Sequence, residues 1–505
     1  MIKLIYRIES DYMSKKRMLI VTSVTLSVVT ISLGIVKLYQ TYALSNYIGT
    51  VTDTGIDVYI NDDSYASIPA NGSSNVYYML TNTNPGTVKY GVAYQTTSGV
   101  TVKVYDTSED PATGTIEEND KKYIKLHLEN KNSTNKTIEL STVLGYENGG
   151  DLVVPSGVTL VTDTYTPPPT AAEYITKLYT TASKTTVTNN SITYNTAPSV
   201  SLMNDRLGGT TTDLDGGNIR YYGASPNNYI YFNCSDYSNQ TSSTCETWRI
   251  IGVFDGKLKL IRGSQIGTYS WDNKDTSTGA ESNFGKNDWT TARLMKLLNP
   301  SDYYTTDSND NNLGQGLYYN SASGKCYSGQ NNATVDCNFT STGIKNDITR
   351  NMIAETTYNL GGWNSNTVYP NLMYEKERGT TVYTGRPTTP WTGKIALAYT
   401  SDYGYAADLN QCKDKTLYDY NNSTCTSNNW MKAIITNNGR NSGWLLTPYC
   451  STSSNVWYVY PVGNVYFNYT VYSAFGAVPV LSLSSELGIE SGGDGSSSNP
   501  YKLSA

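Results

Sequence analysis

Six short runs between residues 76 and 163 share one pattern, β-branched and aromatic residues between breaks at Gly, Asn, Pro or Asp. They are VYYMLTN (76–82), VKYGVAY (88–94), VTVKVY (100–105), KYIKLHLEN (122–130), KTIELSTVLGY (136–146) and GVTLVTD (157–163). Several alternate with period two, the mark of strands with one face on a core. Regular short strands separated by turns predict an all-β, Ig-like sandwich over 45–163. TYTPPPT (164–170) follows. Three consecutive prolines favour a stiff polyproline spacer, so a Pro-rich linker is expected over 164–172.

The pattern then changes. AAEYITKLYTTA (171–182) predicts a short helix, and the core of a second domain, 173–505, opens near LMNDRLGG (202–209). YIYFNC (229–234) reads as a strand. TWRIIGVFDGKLKLIRG (247–263) reads as a hairpin turning at Asp255-Gly256. DWTTARLMKLLN (288–299) predicts a helix capped by Asp288, with Leu294, Leu297 and Leu298 on one face and Pro300 as the stop. IKNDITRNMIAETTYNL (344–360) predicts a second helix ending at Gly361-Gly362. GKIALAYTSDYGYA (393–406) opens as a buried strand. GWLLTP (443–448), NVWYVYPVGNVYFNYTVY (455–472) and GAVPVLSLS (476–484) complete the strands. The sum is an α+β domain rich in loops. No period of 20–50 residues is apparent, which argues against a solenoid or propeller.

The N-terminus has a different signature. MLIVTSVTLSVVTISLGIV (18–36) is 19 residues without a charge. A helix of that length covers roughly the hydrocarbon core of a bilayer. Lys15, Lys16 and Arg17 precede it and Lys37 alone follows. The expectation is a single-pass transmembrane anchor over 18–38, residues 1–17 cytoplasmic and the bulk of the chain outside the cell. A signal peptide cleaved near Ala43 or Ser45 is the alternative, and it exports the chain equally.

Seven cysteines fit an oxidising compartment. Cys234 and Cys245, Cys326 and Cys337, and Cys412 and Cys425 are neighbours with ten, ten and twelve residues between partners. No CxxC occurs, so three local disulfides stapling polar loops are expected, and Cys450 is left over. All 8 Trp, all 6 Phe and all 7 Cys lie beyond residue 230, so the two domains need different cores.

Composition narrows the chemistry further. Over 505 residues the net charge is −6 and only 16% of residues are charged. Nucleic-acid binding needs clustered Lys and Arg, and none is expected here. The chain has one histidine, His127, which argues against Ser-His-Asp and Cys-His catalysis and against most zinc sites. His127 sits in an expected strand, where a structural or surface role is the simpler reading. TDSNDNNLGQG (306–316) is rich in oxygen ligands. An EF-hand register from Asp307 puts Asn312 where Gly belongs and Tyr318 where Glu belongs, so it reads as a solvated loop. ESGGDGSSSNP (490–500) reads the same way. No metal or other cofactor is expected. Glu355, Glu375, Glu377 and Asp402 are candidate carboxylates, but no spacing selects a catalytic pair. No phosphate-cradling Gly-rich motif occurs.

The aromatic distribution carries the main functional signal. There are 45 Tyr against 6 Phe. The ribbon 455–472 holds Trp457, Tyr458, Tyr460, Tyr466, Phe467, Tyr469 and Tyr472, interleaved with Asn455, Asn464 and Asn468. Neighbours on a strand face opposite sides, so both faces of the ribbon are aromatic. One face can fill a core while the other displays Tyr and Asn, the residues favoured in binding loops. Trp457, Tyr458, Tyr460, Asn464, Tyr466, Asn468, Tyr469 and Tyr472 are therefore the candidate ligand-binding residues. The other reading is that Tyr replaces Phe throughout.

NNYIYFNC, CETWRIIGVFDGKLKLIR, NDWTTARLMKLLN, WTGKIALAYTSDYGYA, GWLLTP and VPVLSLSSELGIESGGDGSSSNPYKL, in that order, resemble a family of uncharacterised exported and surface proteins of gut-dwelling low-GC Gram-positive bacteria. The resemblance covers roughly 202–505. It implies a C-type-lectin-like fold, distantly similar to formylglycine-generating domains and to retroelement-diversified receptors. Formylglycine-generating enzymes use a late pair of cysteines, and here only Cys450 lies late. Lectin calcium sites use a Trp-Asn-Asp run, and Trp271-Asp272-Asn273 has the order reversed. The resemblance therefore implies neither oxidase activity nor calcium-dependent sugar binding. Diversified receptors of this fold display ligand contacts where the late aromatic ribbon lies. The expectation is a non-enzymatic cell-surface protein displaying an adhesive head for an unknown protein or glycan ligand. An envelope enzyme, a glycan or peptidoglycan hydrolase or formylglycine-type oxidase, is the alternative, and a non-binding structural envelope protein is a third reading.

Overall fold

The structure, a computed structural model, describes residues 65–82, 86–146, 152–206, 216–273, 284–306, 313–329, 335–384, 386 and 390–504. Before residue 65 it describes the backbone of four strands, Leu4–Ile8, Met18–Ser23, Leu44–Thr52 and Gly55–Asp57. Met18–Ser23, expected as the start of a membrane helix, is instead a strand paired antiparallel with Leu4–Ile8, as its β-branched residues allow. The rest of that expected anchor, 24–38, lies outside the described residues. No helix among the described residues is long and apolar enough to cross a membrane. The chain divides into two units, Met1–Pro168 and Pro169–Ala505, and both are rich in β-structure.

In the first unit the alternating runs form strands. Gly72–Asn82, Lys121–Asn130, Val100–Tyr105 and Thr164–Tyr165 are consecutive in one sheet. Val158–Leu160, Val88–Gln95, Lys136–Tyr146 and Tyr65–Ile68 form another, with Thr113–Ile116 also on Val88–Gln95. The inward residues of both sheets share one core. Tyr78, Leu80, Ile124 and Leu126 come from one, and Tyr90, Val92, Ile138 and Leu140 from the other. Burying each such side chain stabilises by about 1.5–3 kcal/mol. Thr164–Tyr165, expected in the linker, instead pairs in parallel with Val104–Tyr105. The reason lies at His127. Its imidazole stacks on the Tyr165 ring, centroids 3.6 Å apart and planes 7° apart, and Nδ1 lies 2.7 Å from Asn75 Oδ1. Burial pushes the His127 pKa below its usual value, against the Glu129 carboxylate. The one histidine is a packing residue.

The second unit opens on helix Ala171–Thr181. Thr170 Oγ1 accepts from Glu173 N–H, and Glu173 Oε2 accepts from Thr170 N–H, a reciprocal capping box. The expected linker thus also loses its last three residues to the helix and its cap. A hairpin missed in the polar stretch follows, Thr185–Asn189 with Ile192–Ala197, turning through Asn190 and Ser191 at positive φ. It leads into a sheet through Leu202–Asn204, Ile219–Tyr221, Glu246–Phe254, Lys257–Arg262, Val480–Ser482 and Ile395–Ala396, with Tyr229–Phe232 also on Glu246–Phe254. The expected Asp255-Gly256 turn is present with φ of 49° and 71°, as a tight hairpin requires. A second sheet runs Thr268–Tyr269, Phe475–Gly476, Gly443–Pro448, Val456–Val459, Val465–Tyr466.

Two expected helices are shorter than their patterns. The first is Arg293–Leu298, because Asp288 Oδ1 is used by Thr290 N–H and Oγ1 and closes a separate turn. The second is Asp347–Met352, and Thr356–Tyr358 is a strand paired with Trp391–Gly393. The β-branched Thr356-Thr357 pair suits a strand better than a helix end. The ends of the unit meet: Thr170 bridges Gly488, whose strand Gly488–Ile489 pairs with Leu503–Ser504. All three expected disulfides are formed, Cys234–Cys245, Cys326–Cys337 and Cys412–Cys425.

Candidate functional site

The aromatic ribbon is a hairpin that forms a wall between two cores. Val456–Val459 pairs with Val465–Tyr466 around Gly463, which holds φ of 108°. Trp457, Val459 and Val465 point into one core with Leu445. Val456 and Tyr458 point into the other with Trp444 and Leu446. The adjoining strand Gly443–Pro448 is buried at every position. Neither face of the strand pair is free, and this revises the expectation that one whole face is displayed. Trp457 is 0% exposed and donates Nε1–H to Trp363 O at 3.3 Å. Tyr458 is buried, and its hydroxyl donates to Asn468 Oδ1. Asn464 is buried, with Oδ1 unpartnered.

The outer end of the same hairpin is open. Tyr460 is 40% exposed, Val462 50% and Tyr469 47%, and Asn468 is exposed. Tyr466 is half-buried. Its ring lies 5.6 Å from Tyr460, 4.8 Å from Tyr418 and 6.3 Å from Tyr458. Tyr469 lies 5.7 Å from Tyr458 and 5.3 Å from Phe475. Tyr472 is half-buried and stacks on exposed Phe284 at 6.1 Å. The buried Tyr458 ring thus fixes Tyr466 and Tyr469, and through Tyr466 the tip residue Tyr460. Rings held by other rings lose little freedom when a ligand covers them. Of the eight candidates, Trp457, Tyr458 and Asn464 are core, and Tyr460, Tyr466, Asn468, Tyr469 and Tyr472 reach the surface. Tyr418, Val462 and Phe284 belong with them and were not singled out from the sequence. Tyr418 and Phe284 are remote in the chain, and Val462 is a single apolar residue in a turn.

The candidate carboxylates have other work. Asp402 is buried and accepts Arg220 Nη1 at 2.9 Å and Lys259 Nζ at 2.5 Å. Arg220 Nε reaches Asp205 Oδ2 at 2.5 Å, with the Phe254 and Tyr405 rings 4.5 and 4.8 Å from its guanidinium carbon. Burial pushes Asp402 up, but Lys259 and Arg220 outweigh it and hold the carboxyl at about 2. Burial pushes Lys259 down, against Asp402. Two cations on one carboxylate at these distances make the set ionic. Glu377 is buried too. It accepts from Ser401 N–H and Oγ, Thr447 Oγ1 and Arg378 Nη1. Burial raises its pKa. Glu355 accepts the Tyr303 hydroxyl, and Glu375 pairs with Lys376. These groups are tied to their own chain.

Asp272 is buried and accepts Lys286 N–H at 2.8 Å, so the Trp271-Asp272-Asn273 run serves packing. Positions 274–275 and 307–312, the latter in the oxygen-rich loop, lie outside the described residues. Among the described residues no cluster of His, Cys, Asp and Glu could hold a metal ion. Cys450 donates its thiol to Thr381 O at 3.2 Å, and burial pushes its pKa up to about 12. A thiol so held stays protonated and is a poor nucleophile. Native protein is expected to leave Cys450 unlabelled by a thiol reagent at pH 8 over hours, with one equivalent labelled after unfolding in guanidinium. Rapid labelling of folded protein would contradict the burial.

No protein-family model matches the chain, and no curated protein matches it.

Proposed function

We propose that the chain is a membrane-anchored surface protein whose second unit, a C-type-lectin-like head, binds a ligand through the outer end of hairpin 456–472. In this reading the first unit is an Ig-like stalk, residues 18–38 are the anchor, and the head lies outside the cell. The supporting observation is the exposed end of the hairpin, where Tyr460, Val462 and Tyr469 lie beside half-buried Tyr466 and a core aromatic locks two of the rings. Binding surfaces concentrate their energy in a few aromatic anchors that pack on the partner while polar groups ring them. Asn468 and the tyrosine hydroxyls supply that polar rim.

The test is the triple variant Tyr460→Ser, Tyr466→Ser, Tyr469→Ser, compared with the natural chain on a glycan array and on cell surfaces. Loss of the three rings is expected to weaken binding at least about tenfold, since each anchor contributes on the order of 1–2 kcal/mol. Unchanged binding by a folded triple variant would end this reading.

A further inference from the structure

Arg249 is a buried cation that faces no carboxylate among the described residues. Arg220, Arg262, Arg350 and Arg378 each lie against one. Arg249 is 6% exposed, and its partners are neutral. Nε donates to Asn228 Oδ1 at 2.5 Å and Nη2 to Pro226 O at 3.2 Å. The Tyr229 ring lies 3.6 Å from the guanidinium carbon and the Trp430 ring 4.9 Å. Trp430 is itself fixed, its Nε1–H donated to Tyr221 O at 3.0 Å. Among the described residues Nη1 donates to no carbonyl or carboxylate and is not sealed from water, and the Tyr229 hydroxyl is the one titratable side-chain group that supports the guanidinium charge. Burial pushes the guanidinium down to about 10, with only Tyr229 acting the other way.

Retaining a desolvated cation without a counter-charge is costly, and hydrogen bonds to neutral acceptors recover only part of that cost. Here the side chain is already ordered by two hydrogen bonds and two rings, so an incoming anion meets a preorganised donor. The exposed chain neighbours Ala224, Ser225 and Asn227 carry no charge. The acidic residue beside them, Asp494, sits on the loop whose Gly495 O accepts Tyr229 N–H at 2.8 Å, and its carboxylate is engaged by Ser496 N–H. A planar carboxylate matches a guanidinium edge, with donors and acceptors in one plane. We propose that Arg249 is an anion-binding point that takes the carboxylate of a small acidic ligand through Nη1. This site is independent of the hairpin reading and stands if that reading fails.

The full chain would be titrated with sodium acetate, sodium phosphate and sodium chloride at equal ionic strength, with the unfolding temperature as readout. Acetate at ten times its dissociation constant is expected to raise Tm by a few degrees above chloride. Arg249→Met should lose the acetate-specific shift, and Arg249→Lys, which keeps a charge but not the fork, should lose most of it. An equal response to acetate and chloride in the natural protein overturns the site, whether or not either variant folds. An acetate shift that survives in folded Arg249→Met overturns it as well. A phosphate response larger than the acetate one overturns the choice of a carboxylate.

Discussion

Arg220→Met is expected to cost the second unit about 3–5 kcal/mol, the usual penalty for removing one partner of a buried ion cluster. The substitution leaves Asp205 and Asp402 buried with Lys259 as the sole cation still paired to Asp402. Denaturant unfolding followed by tryptophan fluorescence reads the second unit, because all 8 Trp lie in it. A loss under about 1 kcal/mol would mean that water reaches the cluster and screens it. The same cluster sets an acid limit. Asp402 titrates at about 2 in the folded unit against 3.8 ordinarily, so the unfolded chain takes up this proton first. Its stabilisation is complete above 3.8 and is lost as pH falls through about 2. A gap of nearly two units corresponds to about 2 kcal/mol. Stability of the second unit should therefore drop between pH 4 and 2, and a flat profile there would show that Asp402 is not held ionised.

Trp457→Ala is expected to destabilise the second unit by about 3–5 kcal/mol, as large-to-small changes of buried aromatics do. The ring is fully buried beside Phe467 and Tyr449, with centroids at 5.1 and 5.8 Å. The Tyr460, Tyr466, Tyr469 triple variant should lose less, about 1–3 kcal/mol for all three rings together, because Tyr460 and Tyr469 are solvent-facing and Tyr466 is only half-buried. The pair of measurements separates scaffold from surface within one hairpin. If Trp457→Ala left stability unchanged, or the triple variant unfolded, the division between the wall and its outer end would be wrong.

The strands were legible where alternation met a turn residue. Val76–Asn82, Val88–Tyr94, Val100–Tyr105 and the Asp255-Gly256 hairpin all follow from period two plus local φ demands. The disulfides were legible from spacing alone. Helices were less so. Pro370–Glu377, Thr400–Tyr405 and Trp430–Ile435 are each eight residues or fewer, too short for a 3.6-residue period to stand out, and tertiary packing decides them. Within the site, the sequence indicated that both ribbon faces are aromatic. It gave no sign that a core lies on each side, because that depends on segments as distant as Trp363 and Leu445. The Arg220 cluster was illegible for a similar reason. Asp205, Arg220, Lys259 and Asp402 span almost 200 residues and share no spacing rule.

The adjacency of Thr170 and Leu503–Ser504, through their shared neighbour Gly488, has an architectural consequence. A module whose entrance and exit lie side by side can be spliced into a surface loop of an unrelated host without prying that host apart. It can equally be strung in tandem or circularly permuted, since joining its old ends needs only a few linking residues. The second unit is in this sense a portable cassette.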